Sequence, residues 1–238
     1  MYTLYMKTLR LTGAALCLSL CLGAAPAPRF DNPPPGTVVQ DVTAYLSGEG
    51  MSSRWHVVAS RKLAGKNMGK TPVYQWYLSI YAPAANDASK LVYRSPGQGR
   101  PLLATIAKAN GAQLYFPSQQ LTIVGAAELE RPSVQDVVVL SRQAGADCGS
   151  ATLTIFGAGA SGGVQPRVQI VNPCDLNAAI VREGNLEAVR VWGPYYKPGA
   201  PLCCPTKPNA SGTIRFKNGT WIVTPAVFAV TPQRHIQP

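Results

Sequence analysis

Histidine is nearly absent from this chain: His56 and His235 are the two among 238 residues. One falls inside an extended segment and the other near the end, so a catalytic triad or a histidine-held zinc has almost nothing to build on. Acids are scarce as well, 11 against 22 lysines and arginines, for a net charge of +11. Glu128 and Glu130 alternate along one extended stretch, as a glycosidase pair could, but two acids just ahead of Arg131-Pro132 read as a solvated strand end. Asp136, Asp147 and Asp175 lack the spacing of an EF-hand calcium loop. The run Gly157-Ala158-Gly159-Ala160-Ser161-Gly162-Gly163 has the glycines of a phosphate loop without the Lys-Ser/Thr that must follow, and reads as a hairpin connection. No catalytic residue, metal ligand or cofactor is therefore nominated, and the residues point away from an enzyme.

Long hydrophobic runs are missing too, with one exception. Lys7 and Arg10 precede an apolar stretch from Leu11 to Ala25 that breaks at Pro26-Ala27-Pro28. A membrane span needs roughly 20 apolar residues, and this stretch is shorter and contains Thr12 and Ser19. It reads as an export signal cleaved after Ala24, which leaves no transmembrane span in the mature chain. Lipidation is disfavoured because Leu16 and Leu20 precede Cys17 and Cys21, where a lipobox needs a small residue. Export places the mature chain in the periplasm or outside the cell, an oxidising setting. Loss of Lys7 and Arg10 leaves 20 bases against 11 acids, a net +9. That balance favours loose attraction to acidic envelope polymers, anionic lipid or nucleic acid, and the partners expected are acidic envelope polymers or another envelope protein. Specific nucleic-acid binding needs a basic stripe, and here the bases are scattered, Arg61-Lys62 being the one adjacent pair.

Proline and glycine are abundant, 21 and 22 residues, and the segments between them are short and rich in Val, Ile, Tyr and Thr. This composition predicts a mainly β protein. The expected layout is a signal peptide over 1–24, an α+β region over 25–130, a β-rich domain over 131–225 and a tail over 226–238. Asp31 to Gly36 forms a polyproline-like lead-in. Val38, Val39, Val42 and Tyr45-Leu46 recur at helical spacing ahead of Gly48, and Leu102 to Ala109 forms a second helix between Pro101 and Asn110-Gly111. Trp55 to Arg61 and Val73 to Tyr81 are strands that pair, with Tyr74, Trp76, Leu78 and Ile80 on the core face. Leu91 to Tyr93, Leu114 to Phe116 and Leu121 to Val124 complete the first half.

Beyond Pro132 seven short strands are expected: 136–140, 151–156, 167–171, 178–181, 186–192, 212–216 and 220–223. Their spacing predicts one antiparallel meander, with hairpin turns at Glu183-Gly184-Asn185 and Lys217-Asn218-Gly219. Four cysteines remain in the mature chain, Cys148, Cys174, Cys203 and Cys204, and an even count in an exported protein predicts disulfides. We favour Cys148 with Cys174, closing a loop of about 26 residues worth roughly 3.5 kcal/mol in the chain-entropy model. Cys203 then pairs with Cys204 as a rigid turn or a reducible switch, or each takes a separate partner.

Asp136 to Leu140, Cys148, Gly193-Pro194, Cys203-Cys204-Pro205-Thr206 and Gly219-Thr220-Trp221 together resemble a group of bacterial exported proteins whose C-terminal part carries a Cys-Cys-Pro-Thr or Cys-Cys-Pro-Ser element. Mycobacterial lipoproteins of the LppP/LprE type are similar. The resemblance covers Asp136 to Trp221, departs in lacking a lipobox, and implies location and fold rather than an activity. Tyr195-Tyr196-Lys197 lies in a Pro-rich connection from Gly193 to Ala210 and is a candidate binding loop for a sugar or peptide. The alternative is that one tyrosine packs beneath the loop. The functional expectation is an exported envelope protein acting as a non-catalytic binding or structural module. The runner-up is a redox protein cycling Cys203 and Cys204.

Overall fold

The computed structural model describes residues 28–46, 54–67, 71–95, 119–143, 150–159, 163–172, 174–197, 205–224, 228 and 230–232. These residues form three β-sheets and no α-helix. The first sheet holds β1 (Arg29–Phe30), β2 (Thr37–Ala44), β3 (Trp55–Asn67), β4 (Thr71–Pro83) and β5 (Ala88–Arg94), in the order β1-β5-β4-β3-β2, with a single 3-10 turn at Ala85–Asp87. The second runs through β6 (Gln119–Arg131), β7 (Val134–Gln143), β8 (Ser150–Ala158) and β9 (Val164–Asn172). The third is β10 (Asn177–Glu183), β11 (Leu186–Tyr195), β12 (Lys207–Lys217) and β13 (Thr220–Thr224), after which β14 (Val230–Pro232) returns to pair with β9. Every pairing is antiparallel except β1 with β5.

The sheets stack with the second in the middle. On β7, Val137, Val138, Val139 and Leu140 are all buried, a run that only a strand covered on both faces can hold. Val137 and Val139 join Leu121, Ile123 and Phe156 against Trp55, Val57, Trp76, Leu78 and Ile80 of the first sheet. Val138 and Leu140 join Leu153, Ile155, Val168 and Ile170 against Val189, Val191, Ile214 and Trp221 of the third. Each such side chain contributes about 1.5–3 kcal/mol on full burial.

Strand β6 serves both cores. Leu121 and Ile123 face the first sheet, yet Ala127 and Leu129, of the same parity, face the third. The switch comes from a bulge between Ile123 and Gly125, where one extra residue turns the strand over. Strand β6 is also an edge, and its free backbone groups meet side chains of the other sheets. Ile123 N–H donates to Gln40 Oε1 at 2.8 Å and Gln40 Nε2 donates to Ile123 O at 3.4 Å. Glu128 N–H donates to Glu187 Oε2 at 2.8 Å.

Several expectations are corrected. The helix expected over Val38 to Leu46 is strand β2, paired with β3 from Thr37↔Arg61 to Ala44↔Trp55. A bulge between Val38 and Gln40 breaks the alternation there, and Val38 and Val39, the apolar pair that suggested a helix, are exposed. The first half is thus a β-sheet rather than α+β among the described residues; Leu102 to Ala109 and Leu114 to Phe116 lie outside them. Nor is the lead-in free-standing. Asp31 N–H donates to Ser89 O at 3.0 Å, Tyr81 Oη donates to Asn32 O at 2.8 Å, and Arg94 donates to Asn32 and Pro33.

All seven strands expected beyond Pro132 are present, but as two meanders in separate sheets instead of one. The chain crosses between them at Cys174 to Leu176, where Asn172 Nδ2 donates to Asp175 O at 3.1 Å and Pro194 O at 2.9 Å. The division expected at 130/131 falls at the β6–β7 hairpin, whose pairing runs to Arg131↔Val134. Both hairpin turns are found: Glu183 pairs with Leu186, and Lys217 with Thr220 around Asn218 and Gly219 at φ 52° and 76°, the double positive φ of a type I′ turn.

Replacing Gln40 with Ala strips two edge groups of Ile123 of their partners inside a packed junction. Urea denaturation of the Gln40→Ala variant should show a loss of about 1–3 kcal/mol, whereas an ordinary surface substitution stays within about 0.5 kcal/mol.

Candidate functional site

The face of the second sheet that meets the first is divided. Its β6–β7 part carries Leu121, Ile123, Val137 and Val139, which the first sheet covers. Its other part, reached through the pairs Ser141↔Thr152 and Thr154↔Gln169, is polar. A cleft of about 250 Å³ lies at this border. Ser141, Thr152, Thr154 and Gln169 form its polar floor, and Tyr93 and Ser95 close it from the first sheet. Leu78, Val139 and Phe156 supply apolar wall. The volume matches roughly eight waters at about 30 Å³ each, room for a molecule the size of a monosaccharide or a single amino acid.

The lining is held in place. Ser95 N–H donates to Leu78 O at 2.9 Å, and Leu78 N–H donates to Ser95 Oγ at 2.9 Å. The Tyr93 and Phe156 rings lie 5.2 Å apart at 55°. Gln169 Nε2 donates to Thr154 Oγ1 at 3.3 Å. Burial raises the Tyr93 hydroxyl above its ordinary 10.0, so it remains a neutral donor at physiological pH. Among the described residues no lining side chain is charged. Against these side chains a charged guest would lose hydration with no ion to replace it, whereas hydroxyls and amides find partners.

The residues nominated from sequence lie elsewhere. Tyr195 sits at the end of β11, laddered to Lys207, and packs against the core between the second and third sheets. Tyr196 Oη donates to Cys174 Sγ at 3.0 Å, while Lys197 is exposed and its backbone N–H donates to Thr206 Oγ1 at 3.1 Å. The connection expected from Gly193 to Ala210 is shorter, because pairing continues through Gly193↔Ala210 to Tyr195↔Lys207. Cys174 is buried and disulfide-bonded; Cys148, Cys203 and Cys204 lie outside the described residues, as does the leader. His56 Nδ1 stands 3.1 Å from Asp41 Oδ1 on the face of the first sheet away from the cleft. Among the described residues no three His, Cys, Asp or Glu side chains are grouped to hold a metal.

Sequence reasoning missed Tyr93, Ser141, Thr152, Thr154 and Gln169. The available signal was in β8, where Thr152 and Thr154 alternate with Ala151, Leu153 and Ile155 beside β7, whose Val137 to Leu140 run is apolar on both faces.

On the opposite face of the second sheet Asp136 is 4% exposed. Gly157 makes room for it: a Cβ there would fall 2.5 Å from Asp136 Oδ1 and 2.7 Å from Arg167 Nε. Arg167 Nε lies 3.8 Å from Glu130 Oε1 and its Nη2 donates to Ala158 O at 2.5 Å. Burial first, and the Glu130 charge second, push the Asp136 carboxyl from 3.8 up to about 8, against the pull of Arg167 and Arg131. The folded chain therefore keeps a proton that the unfolded chain releases. Stability tied to this group is full below pH 3.8 and is lost as pH rises towards about 8. Asp136→Asn should leave stability unchanged at the acid end of that window and raise it progressively above, with the gain levelling off beyond about pH 8; urea midpoints of the two proteins across the range measure it.

No protein-family model, curated protein or solved structure matches the chain.

Proposed function

We propose that this chain is an exported, non-catalytic binding module of a bacterial envelope, and that it holds a small uncharged ligand in the cleft between its first two sheets. The observation that carries the reading is the cleft itself: a floor of Ser141, Thr152, Thr154 and Gln169, an aromatic wall of Tyr93 and Phe156, and no charged side chain among the described residues that line it. Among the described lining residues there is neither an imidazole nor a carboxylate, which favours holding over turnover. The ligand class follows from complementarity, an apolar face bearing hydroxyl or amide groups.

Two pairs of probes test this. N-acetylglucosamine and N-acetyl-leucinamide are neutral, and glucosamine and N-acetyl-leucine are their charged counterparts. Neutral probes should shift the backbone amide resonances of Thr152 and Thr154, and the charged ones should not. Thr154→Val removes one hydroxyl at constant shape and should weaken binding roughly two- to tenfold, the worth of one net hydrogen bond. Equal response to both members of each pair, or none at the cleft, would refute the reading.

Export and bracing belong to the same proposal, in which Cys148 joins Cys174 and Cys203 joins Cys204. Non-reducing peptide mapping of material recovered from a bacterial periplasm should return a chain starting at Ala25 with both bonds. A retained leader or four free thiols would count against it.

A further inference from the structure

Strand alternation sorts the third sheet into two faces. Val189, Val191 and Ile214 turn into the core, so Arg190, Trp192, Ser211 and Thr213 turn out. Register aligns them in two rows, Trp192 opposite Ser211, and Arg190 opposite Thr213, itself opposite Thr224. With strands about 4.8 Å apart and alternate residues about 6.8 Å apart, the grid is the size of a short chain of sugar rings. A shallow depression of about 370 Å³ lies over Arg190, Ser211, Thr213 and Thr224.

Two features set this face apart. Trp192 is 40% exposed, whereas Trp55, Trp76 and Trp221 are all buried. A part-exposed indole beside polar residues offers a flat apolar face on which a ring can stack. Arg190 is exposed and joins no ion pair among the described residues. Glu183, which also lines the depression, is held by Arg215, whose Nη2 donates to Glu183 Oε1 at 2.7 Å, and this offsets its repulsion of an incoming anion.

We propose that this outer face binds an acidic oligosaccharide. The apolar face of one ring stacks on Trp192, a sugar carboxylate pairs with the Arg190 guanidinium, and ring hydroxyls exchange hydrogen bonds with Ser211, Thr213 and Thr224. Arg190 and the exposed Arg182, which lines the same depression, stand among several hydroxyls, and this fits carboxylates spaced by hydroxyls, the make-up of an acidic sugar chain. A nucleic-acid backbone, with a phosphate at every step, calls for more cations than this. The site is separate from the cleft and does not depend on it.

Calorimetric titration of the mature chain with trigalacturonic acid tests the assignment, with maltotriose as the neutral trisaccharide and tripolyphosphate as the anion without sugar. Trigalacturonic acid should bind, with affinity falling as salt rises, and the other two should bind at least tenfold more weakly. Trp192→Ala and Arg190→Gln should each lower the affinity at least tenfold. Lys90→Gln, the same charge change at an exposed base of β5, should leave it within twofold. In the unaltered chain the Trp192 indole N–H resonance should move on addition of trigalacturonic acid, a readout that needs no variant to fold. Absence of binding, equal affinity for maltotriose or tripolyphosphate, an unmoved Trp192 signal, or Trp192→Ala within twofold would each overturn the proposal.

Discussion

Everything in this fold depends on taking one sheet out of water on both faces. Once Val137 to Leu140 are buried in succession, the backbone of the second sheet has no solvent above or below to bond with, and its polar groups must be met by neighbouring strands or side chains. Inside the sheet the ladders do this. At its open edge the task passes to Gln40 from the first sheet and Glu187 from the third, each of which accepts a backbone N–H of β6. An edge strand left bare would be both a desolvation cost and a template for unwanted pairing. The bulge of β6 serves the same end: by turning the strand over midway, it lets one edge supply apolar side chains to two cores.

A doubly covered sheet also decides where polar side chains can sit. On the face towards the first sheet they run from Ser141 of β7 across Thr152 and Thr154 of β8 to Gln169 of β9, and the cleft lies over them. On the other face Asp136 is held where the backbone of Gly157 leaves space and Arg167 and Glu130 stand near. The two sites solve one problem differently. The cleft keeps neutral groups in contact with each other and with solvent, while Asp136 gives up its charge by retaining a proton.

The strands and the two hairpin turns were legible because their signals are local. Asn218-Gly219 specifies its own turn, and Trp76, Leu78 and Ile80 announce a buried face by period alone. The segment after Gly36 was not, since the bulge past Val38 shifts the pattern by one residue and makes strand β2 look helical. Which strand joins which sheet was equally hidden: β9 and β10 are alike in length and character, and only the crossing at Cys174 to Leu176 parts them. The cleft escaped for a related reason. A threonine at an alternate position reads as facing solvent, and the presence of a third layer over that face is not written in the strand itself.

The basic surplus of the chain bears on what each surface can accept. Among the described residues no base or acid lines the cleft, so selection by those side chains rests on shape and hydrogen bonds. The outer face of the third sheet is built the other way, with the exposed Arg190 beside hydroxyls and an indole in water. Charge steers there and weakens with salt, and the aromatic and the hydroxyls supply what salt does not screen. The central sheet keeps the two surfaces apart, since its stacked cores lie between them and each is assembled from different strands. A change at one can therefore leave the other intact, and that independence is what a three-sheet stack offers beyond a simple sandwich.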